Sequence, residues 1–215
     1  MIPDFNRNML SHVSFGEQPL RITVDDILEE KEIKQYVRDV ERMVRTSKEY
    51  KKWLEFIHGV LGSQFVCYKT GETPETCKIQ VHHHPITLFE YVAICMQNSN
   101  KFDTFQLAEE VMSLHYSNFV GFIPLCTTVH EKYHNQVLTI PIDIIEGDWY
   151  NFVINYENQI GDDIVSKVQV LSTVRLEDYK DEWYMHQKNY VDVNTRYIIP
   201  QLDTDNRINL KEEWV

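Results

Sequence analysis

The order of apolar and polar residues divides the chain into helical and extended stretches. Ile33, Tyr36, Val37, Val40 and Val44 recur in steps of three and four, which predicts a helix with one buried face. Asp25 or Asp26 caps its start, and Thr46-Ser47 breaks it before Lys52. A second helix runs from Tyr50 to Leu61, carries Trp53, Leu54, Phe56, Ile57 and Val60, and stops at Gly62-Ser63. The period then shortens. Ile79 and Val81 alternate with Lys78 and Gln80, as in a strand. Phe65–Lys69 is expected to pair with Cys77–Val81 around the turn Gly71-Glu72-Thr73-Pro74. Thr87-Leu88-Phe89-Glu90 is a capping box for a helix to about Asn98. Asp103-Thr104-Phe105-Gln106 opens another, to about Tyr116, with Leu107, Val111 and Leu114 inward. Phe119 to Cys126 is an apolar strand that turns into a short helix. Val137–Ile142 has strand character, Trp149–Tyr156 has no clear period, and Val165–Leu171 fits strand or helix. Ser172 is placed to cap a helix from Val174 to Asn189. A short strand is expected near Leu20–Val24, and the tail from Val191 is polar and extended in character.

Five of the nine histidines fall in two short pieces. The first is Val81-His82-His83-His84-Pro85, at the end of a strand. Successive strand side chains face opposite ways, so His82 and His83 cannot share one environment. The second is His130 and His134, four apart on the helix after Cys126 and therefore on one face, a turn apart. One strand histidine and an i,i+4 helical pair supply a three-ligand divalent-metal site that keeps open positions. The neighbouring imidazole is then placed to act on a water.

These residues, in this order, resemble the HNH, or ββα-metal, endonuclease motif. The resemblance covers Val81-His82-His83, Ile123-Pro124-Leu125-Cys126 and His130 to His134, about the central quarter of the chain. It implies metal ligation by His82, His130 and His134, with His83 as general base and one divalent ion (zinc, magnesium, manganese or nickel). Leu125-Cys126-x-x-x-His130 looks like the family's Leu-Cys-x-x-Cys-His, with Val129 where a second cysteine would stand. Gly121 occupies the position of the family's middle Asn. Asn118, three residues earlier, is the nearest candidate for that role. The connection from Pro85 to Asn118 is longer than in the family, and the structural zinc knuckle is missing. The implied fold is α+β: a mostly helical domain around a central HNH-like motif with a small antiparallel sheet. Residues 1–62 form an N-terminal helical region, 63–140 the motif with a helical insertion at 87–117, and 141–215 an acidic region packed on it. The chain as a whole resembles accessory proteins of large tailed phages.

Charge bears on the partner. The formal net charge is −12, which opposes phosphate binding. The surplus is uneven: residues 1–60 carry 10 basic against 11 acidic residues, whereas residues 141–215 carry 7 against 15. On the first helix Lys34, Arg38, Arg42 and Arg45 lie close to one stripe, a candidate nucleic-acid face or an ordinary solvated one balanced by i,i+4 acids. The acidic C-terminal third is a candidate protein-binding surface. His115 is a further candidate ligand or transition-state contact. No apolar run approaches the roughly 20 residues that span a bilayer, and the Met1-Ile2-Pro3-Asp4-Phe5 start lacks signal-peptide character. A cytoplasmic location, the host's for a phage protein, is expected. The four cysteines form no C-x-x-C pair and read as buried thiols, or as a Cys67–Cys77 zinc half-site joined by Cys126. Three functions stay open: a nuclease, DNA its expected substrate; a metal-stabilised binding or regulatory protein without activity; and a metallohydrolase of small phosphates.

Overall fold

In the computed structural model, residues 30–98, 103–179 and 182–184 are described. The fold is α+β and mostly helical, with one two-stranded antiparallel sheet. Helices α1 (Glu30–Thr46), α2 (Lys48–Leu61), α3 (Leu88–Asn98) and α4 (Thr104–Tyr116) pack together. Strands β1 (Ile79–His83) and β2 (Phe122–Cys126) lie against them, and α5 (Thr127–His134) follows β2 without a break. Helices α6 (Trp149–Asn155) and α7 (Asp162–Leu171) complete the described helices.

Local chemistry explains the helix ends. The break at Thr46-Ser47 forms as expected: α1 stops at Thr46, and the Ser47 hydroxyl accepts the Tyr50 N–H at 3.0 Å to start α2. Thr87 and Glu90 bond reciprocally at the head of α3. Asp103 and Gln106 do the same for α4. The apolar stripe of α1 is buried at Tyr36, Val37, Val40, Met43 and Val44, while Ile33 stays partly exposed. Leu107, Val111 and Leu114 of α4 face inward, as their spacing predicts.

The partner of β1 differs from the sequence expectation. Phe65–Lys69 is not a strand, because the turn after it closes on itself. Cys67 N–H donates to the Glu72 carbonyl at 2.8 Å, and Gly71 N–H donates to the Cys67 carbonyl at 2.7 Å. β1 pairs instead with β2, from Ile79 opposite Cys126 to His83 opposite Phe122. The loop is docked onto this sheet by Tyr68 N–H, which donates to the Pro124 carbonyl at 3.1 Å. Two apolar cores meet at the sheet. Phe122 packs into the core of α1–α4, whereas Ile123 and Leu125 join Tyr68, Val129, Ile140, Ile144 and Trp183 in the second.

Further along, Val137–Ile142 is not a strand; the chain runs irregularly into a 3-10 turn at Ile142–Ile144. Trp149–Asn155 and Asp162–Leu171 resolve as helices. The helix expected from Val174 is, in its described part, a 3-10 turn at Leu176–Tyr179. The expected Leu20–Val24 strand, the Asp25/Asp26 cap, the tail from Val191 and the end of the expected C-terminal helix lie outside the described residues.

Candidate metal centre

The register of β1 and β2 decides what each histidine meets. His82 pairs with Ile123, and His83 pairs with Phe122. Strand alternation turns His82 toward α5 and His83 toward the helical core. His84 continues the run, its N–H donating to the Gly121 carbonyl at 3.0 Å, and returns to the face of His82.

On the α5 side three imidazoles converge. His130 Nε2 lies 2.9 Å from His82 Nδ1 and 3.1 Å from His134 Nε2. The ligand atoms of His82, His130 and His134 all lie within 4.8 Å of one another. One ring nitrogen offers a single in-plane hydrogen or a single lone pair. Two other imidazole nitrogens therefore compete for His130 Nε2. A cation that takes one lone pair from each ring removes that competition. Tetrahedral zinc with Zn–N near 2.0–2.1 Å would set its ligand nitrogens about 3.4 Å apart, somewhat wider than the 2.9 and 3.1 Å on either side of His130. Burial, then the charge of His130, lowers the His82 pKa to about 2; burial, then His134, lowers that of His130. Both imidazoles are accordingly neutral at neutral pH, the form a metal binds. The residues fit a divalent ion. The cluster also grades outward, from buried His82 through half-buried His130 to exposed His134, so it opens toward solvent.

His83 takes no part in this cluster. It is 2 % exposed and stacks beside Trp53 and Tyr50, with ring centroids 5.9 and 6.2 Å away. Its Nε2 lies 3.0 Å from His115 Nε2, and His115 Nδ1 lies 2.7 Å from the Val111 carbonyl. The carbonyl must accept, so His115 carries its proton on Nδ1 and accepts through Nε2 from His83. His83 Nδ1 is left buried with no hydrogen-bond partner. Burial, ahead of the charge of His115, holds the His83 pKa well below the ordinary value. The expected general base is thus turned away from the ligand cluster, and His115 is its buried partner rather than a further ligand.

The residue on the ligand side is His84, which spacing alone flags as two positions from His82. Tyr133 Oη lies 3.1 Å from His84 Nδ1, and the Tyr133 ring lies 4.7 Å from that of His82. His84 is fully buried, and burial, ahead of the Lys167 charge, lowers its pKa to about 3. Gly121 is required where it stands, because a Cβ there would lie 2.2 Å from the His84 carbonyl oxygen. No Asn fits that position. Asn118 instead forms the turn after α4, with φ of 60° and its carbonyl accepting the Asp148 N–H at 2.7 Å.

The basic residues Lys34, Arg38, Arg42 and Arg45 are all exposed on α1. Lys34 pairs with Glu30 at 2.6 Å and Arg45 with Glu41 at 2.9 Å. Arg45 stands at the end of α1 nearer the histidines: its charge depresses the pKa values of both His82 and His130. Lys34 is roughly 16 Å further along the helix axis.

The family model described as Bacteriophage G278-like virion protein matches residues 6–198. The chain belongs to that family. It is of bacteriophage origin. No curated protein and no solved structure matches this G278-like chain. Among the described residues of this virion-family protein, no helix is long and apolar enough to cross a membrane.

Proposed function

We propose that this G278-like protein is a metal-dependent phosphodiester hydrolase of the HNH kind, made in the host cytoplasm and acting on nucleic acid, DNA first. The observation that carries the reading is the convergence of His82, His130 and His134. Supporting it is the order of elements, an antiparallel β1–β2 pair followed directly by the helix that bears two of the histidines. These three side chains would hold one divalent ion. Such an ion stabilises the charge that develops on phosphate and leaving-group oxygens. His84 and Tyr133, paired beside the ligands, take the role that the resemblance gave to His83: the neutral His84 imidazole, through the Tyr133 hydroxyl, receives the proton of the attacking water. Arg45 gives the phosphate backbone a cation near the reaction centre.

The test is cleavage of supercoiled plasmid with magnesium, manganese, nickel and zinc, alongside elemental analysis. The reading expects His82→Ala and His130→Ala to lose one bound ion and cleavage together. His84→Ala keeps the ion and loses cleavage. A wild-type protein that holds the ion yet cleaves neither DNA nor RNA overturns it. That outcome supports a second reading, a metal-stabilised binding protein of the phage acting through protein contacts. The burial of His83 and the glycine at the Asn position favour this alternative. Salt separates the two further: a phosphate-tracking enzyme loses DNA affinity steeply as salt rises.

A further inference from the structure

A second group of metal-ligating side chains lies where the loop between α2 and β1 meets the end of β2, and the histidine site makes no use of it. Glu72, Cys77 and Cys126 bring a carboxylate oxygen and two sulfurs within 4.8 Å of one another. The Cys67 thiol adjoins that of Cys126, and its charge also reaches Cys77. These four residues come from two pieces of chain far apart in sequence. Cys67, Glu72 and Cys77 belong to the loop that closes through the Cys67–Glu72 backbone bond. Cys126 is the last residue of β2 and the N-cap of α5. Thr127 N–H donating to the Lys78 carbonyl at 3.2 Å fastens the same junction from the other side.

All the cysteines are free thiols. Burial, then the charges of Glu72 and Cys67, raises the Cys77 thiol; burial also pushes Cys126 up to about 11, while the Val129 backbone amide works in the opposite direction. Glu72, Cys77 and Cys126 set a hard oxygen beside two soft sulfurs, with the Cys67 thiol next to that of Cys126. Thiolate sulfur selects zinc over magnesium or calcium, and four protein ligands close the coordination shell.

We propose that Cys67, Glu72, Cys77 and Cys126 form a structural zinc site that pins the 67–77 loop to the β2–α5 junction. The site is closed and therefore non-catalytic, and it stands whether or not the histidine cluster serves hydrolysis. Its effect is to fix the start of α5, the helix that carries His130 and His134.

Cobalt(II) added to the reduced protein reads the site directly, because thiolate ligands give a near-ultraviolet sulfur-to-cobalt charge-transfer band that imidazoles do not. The full chain carrying His82→Ala, His130→Ala and His134→Ala is expected to show that band at one equivalent of cobalt. Cys77→Ser in the wild-type background is expected to abolish the band while cobalt still binds the histidines. Cys77 is only half-buried and serine is close in shape, so this variant leaves the fold in place, which far-ultraviolet circular dichroism checks. Zinc loading should slow the reaction of Cys77 with a thiol reagent about tenfold or more. A wild-type protein with no sulfur band, a band unchanged by Cys77→Ser, or thiols that react equally fast with zinc present would overturn the proposal. Loss of plasmid cleavage has no bearing on any of these outcomes, so the hydrolase reading and the zinc site fail separately.

Discussion

His82 and His83 are neighbours in sequence with the same side chain, and the fold gives them opposite chemistry. His82 points its ring at two more imidazoles on α5, in a cluster that reaches solvent. His83 points into the helical core and satisfies one nitrogen through His115 and the Val111 carbonyl. Burial depresses both pKa values, but for different uses. On one face imidazoles gather where a cation can sit. On the other a neutral pair is a polar seam inside an apolar bundle, where leaving either member unpaired is costly. Adjacent histidines are therefore not evidence of one site until the pleat has been assigned.

The largest break in this contrast is expected from His82→Ala. The variant should hold one metal ion fewer than wild type. With metal at about a thousand times its Kd, it should lose about 4 kcal/mol of metal-linked stability. Urea denaturation with and without chelator checks this, and an undiminished metal-dependent gain in the variant would sink the ligand assignment. His83→Ala should do the reverse. It opens a cavity and strands His115, costing about 3 kcal/mol in chelator, with metal content unchanged by elemental analysis. A lost ion there would place His83 on the metal side after all.

Acid acts on the buried pair in a defined window. Burial lowers the folded-state pKa of His115 to about 4, beneath the unfolded value of about 6.5. The unfolded chain binds the extra proton first, so stability is full above about pH 6.5 and falls as pH drops through about 4. With chelator present, to remove any metal contribution, urea midpoints at pH 7, 5.5 and 4.5 should decline in that order, and the decline should shrink in His115→Phe. A midpoint that is flat over this range would contradict the neutral pair. The smallest of these effects is expected from Gly121→Ala. The added Cβ runs into the His84 carbonyl, so about 2 kcal/mol of stability should go. Plasmid cleavage should fall further than metal content, because His84 shifts while the three ligands remain. Equal losses of both would deny His84 a role distinct from the ligands.

The sequence made some of this legible and hid the rest for physical reasons. Helix starts at Thr87 and Asp103 were readable because capping is local, decided within four residues, and so was the break at Thr46-Ser47, although the second helix begins at Lys48 rather than at the expected Tyr50. The His130–His134 pair was readable for the same reason, being one turn of α5. The partner of β1 was not. Phe65–Lys69 has strand composition and stands next in line, but its turn bonds internally, and β2 wins the pairing from the far side of α3 and α4. Such a choice is made by tertiary packing and leaves no local trace. Alternation separates His82 from His83, yet the same rule applied one residue further points to His84, and Tyr133 lies one residue before His134 on α5. Gly121 is legible only in three dimensions, since its need comes from the His84 backbone rather than from its own neighbours.

The separation of β1 from β2 has a consequence for how the protein comes into being. His82 must wait for a helix that begins 45 residues later in the chain, at Thr127, with two helices to be placed in between. Closing so long a segment costs entropy before any contact rewards it. The three-histidine cluster can therefore close only after α5 has been made and α3 and α4 have found their places. A metal held by these three side chains would certify completed topology, because it would need both strands and the helical pair in register.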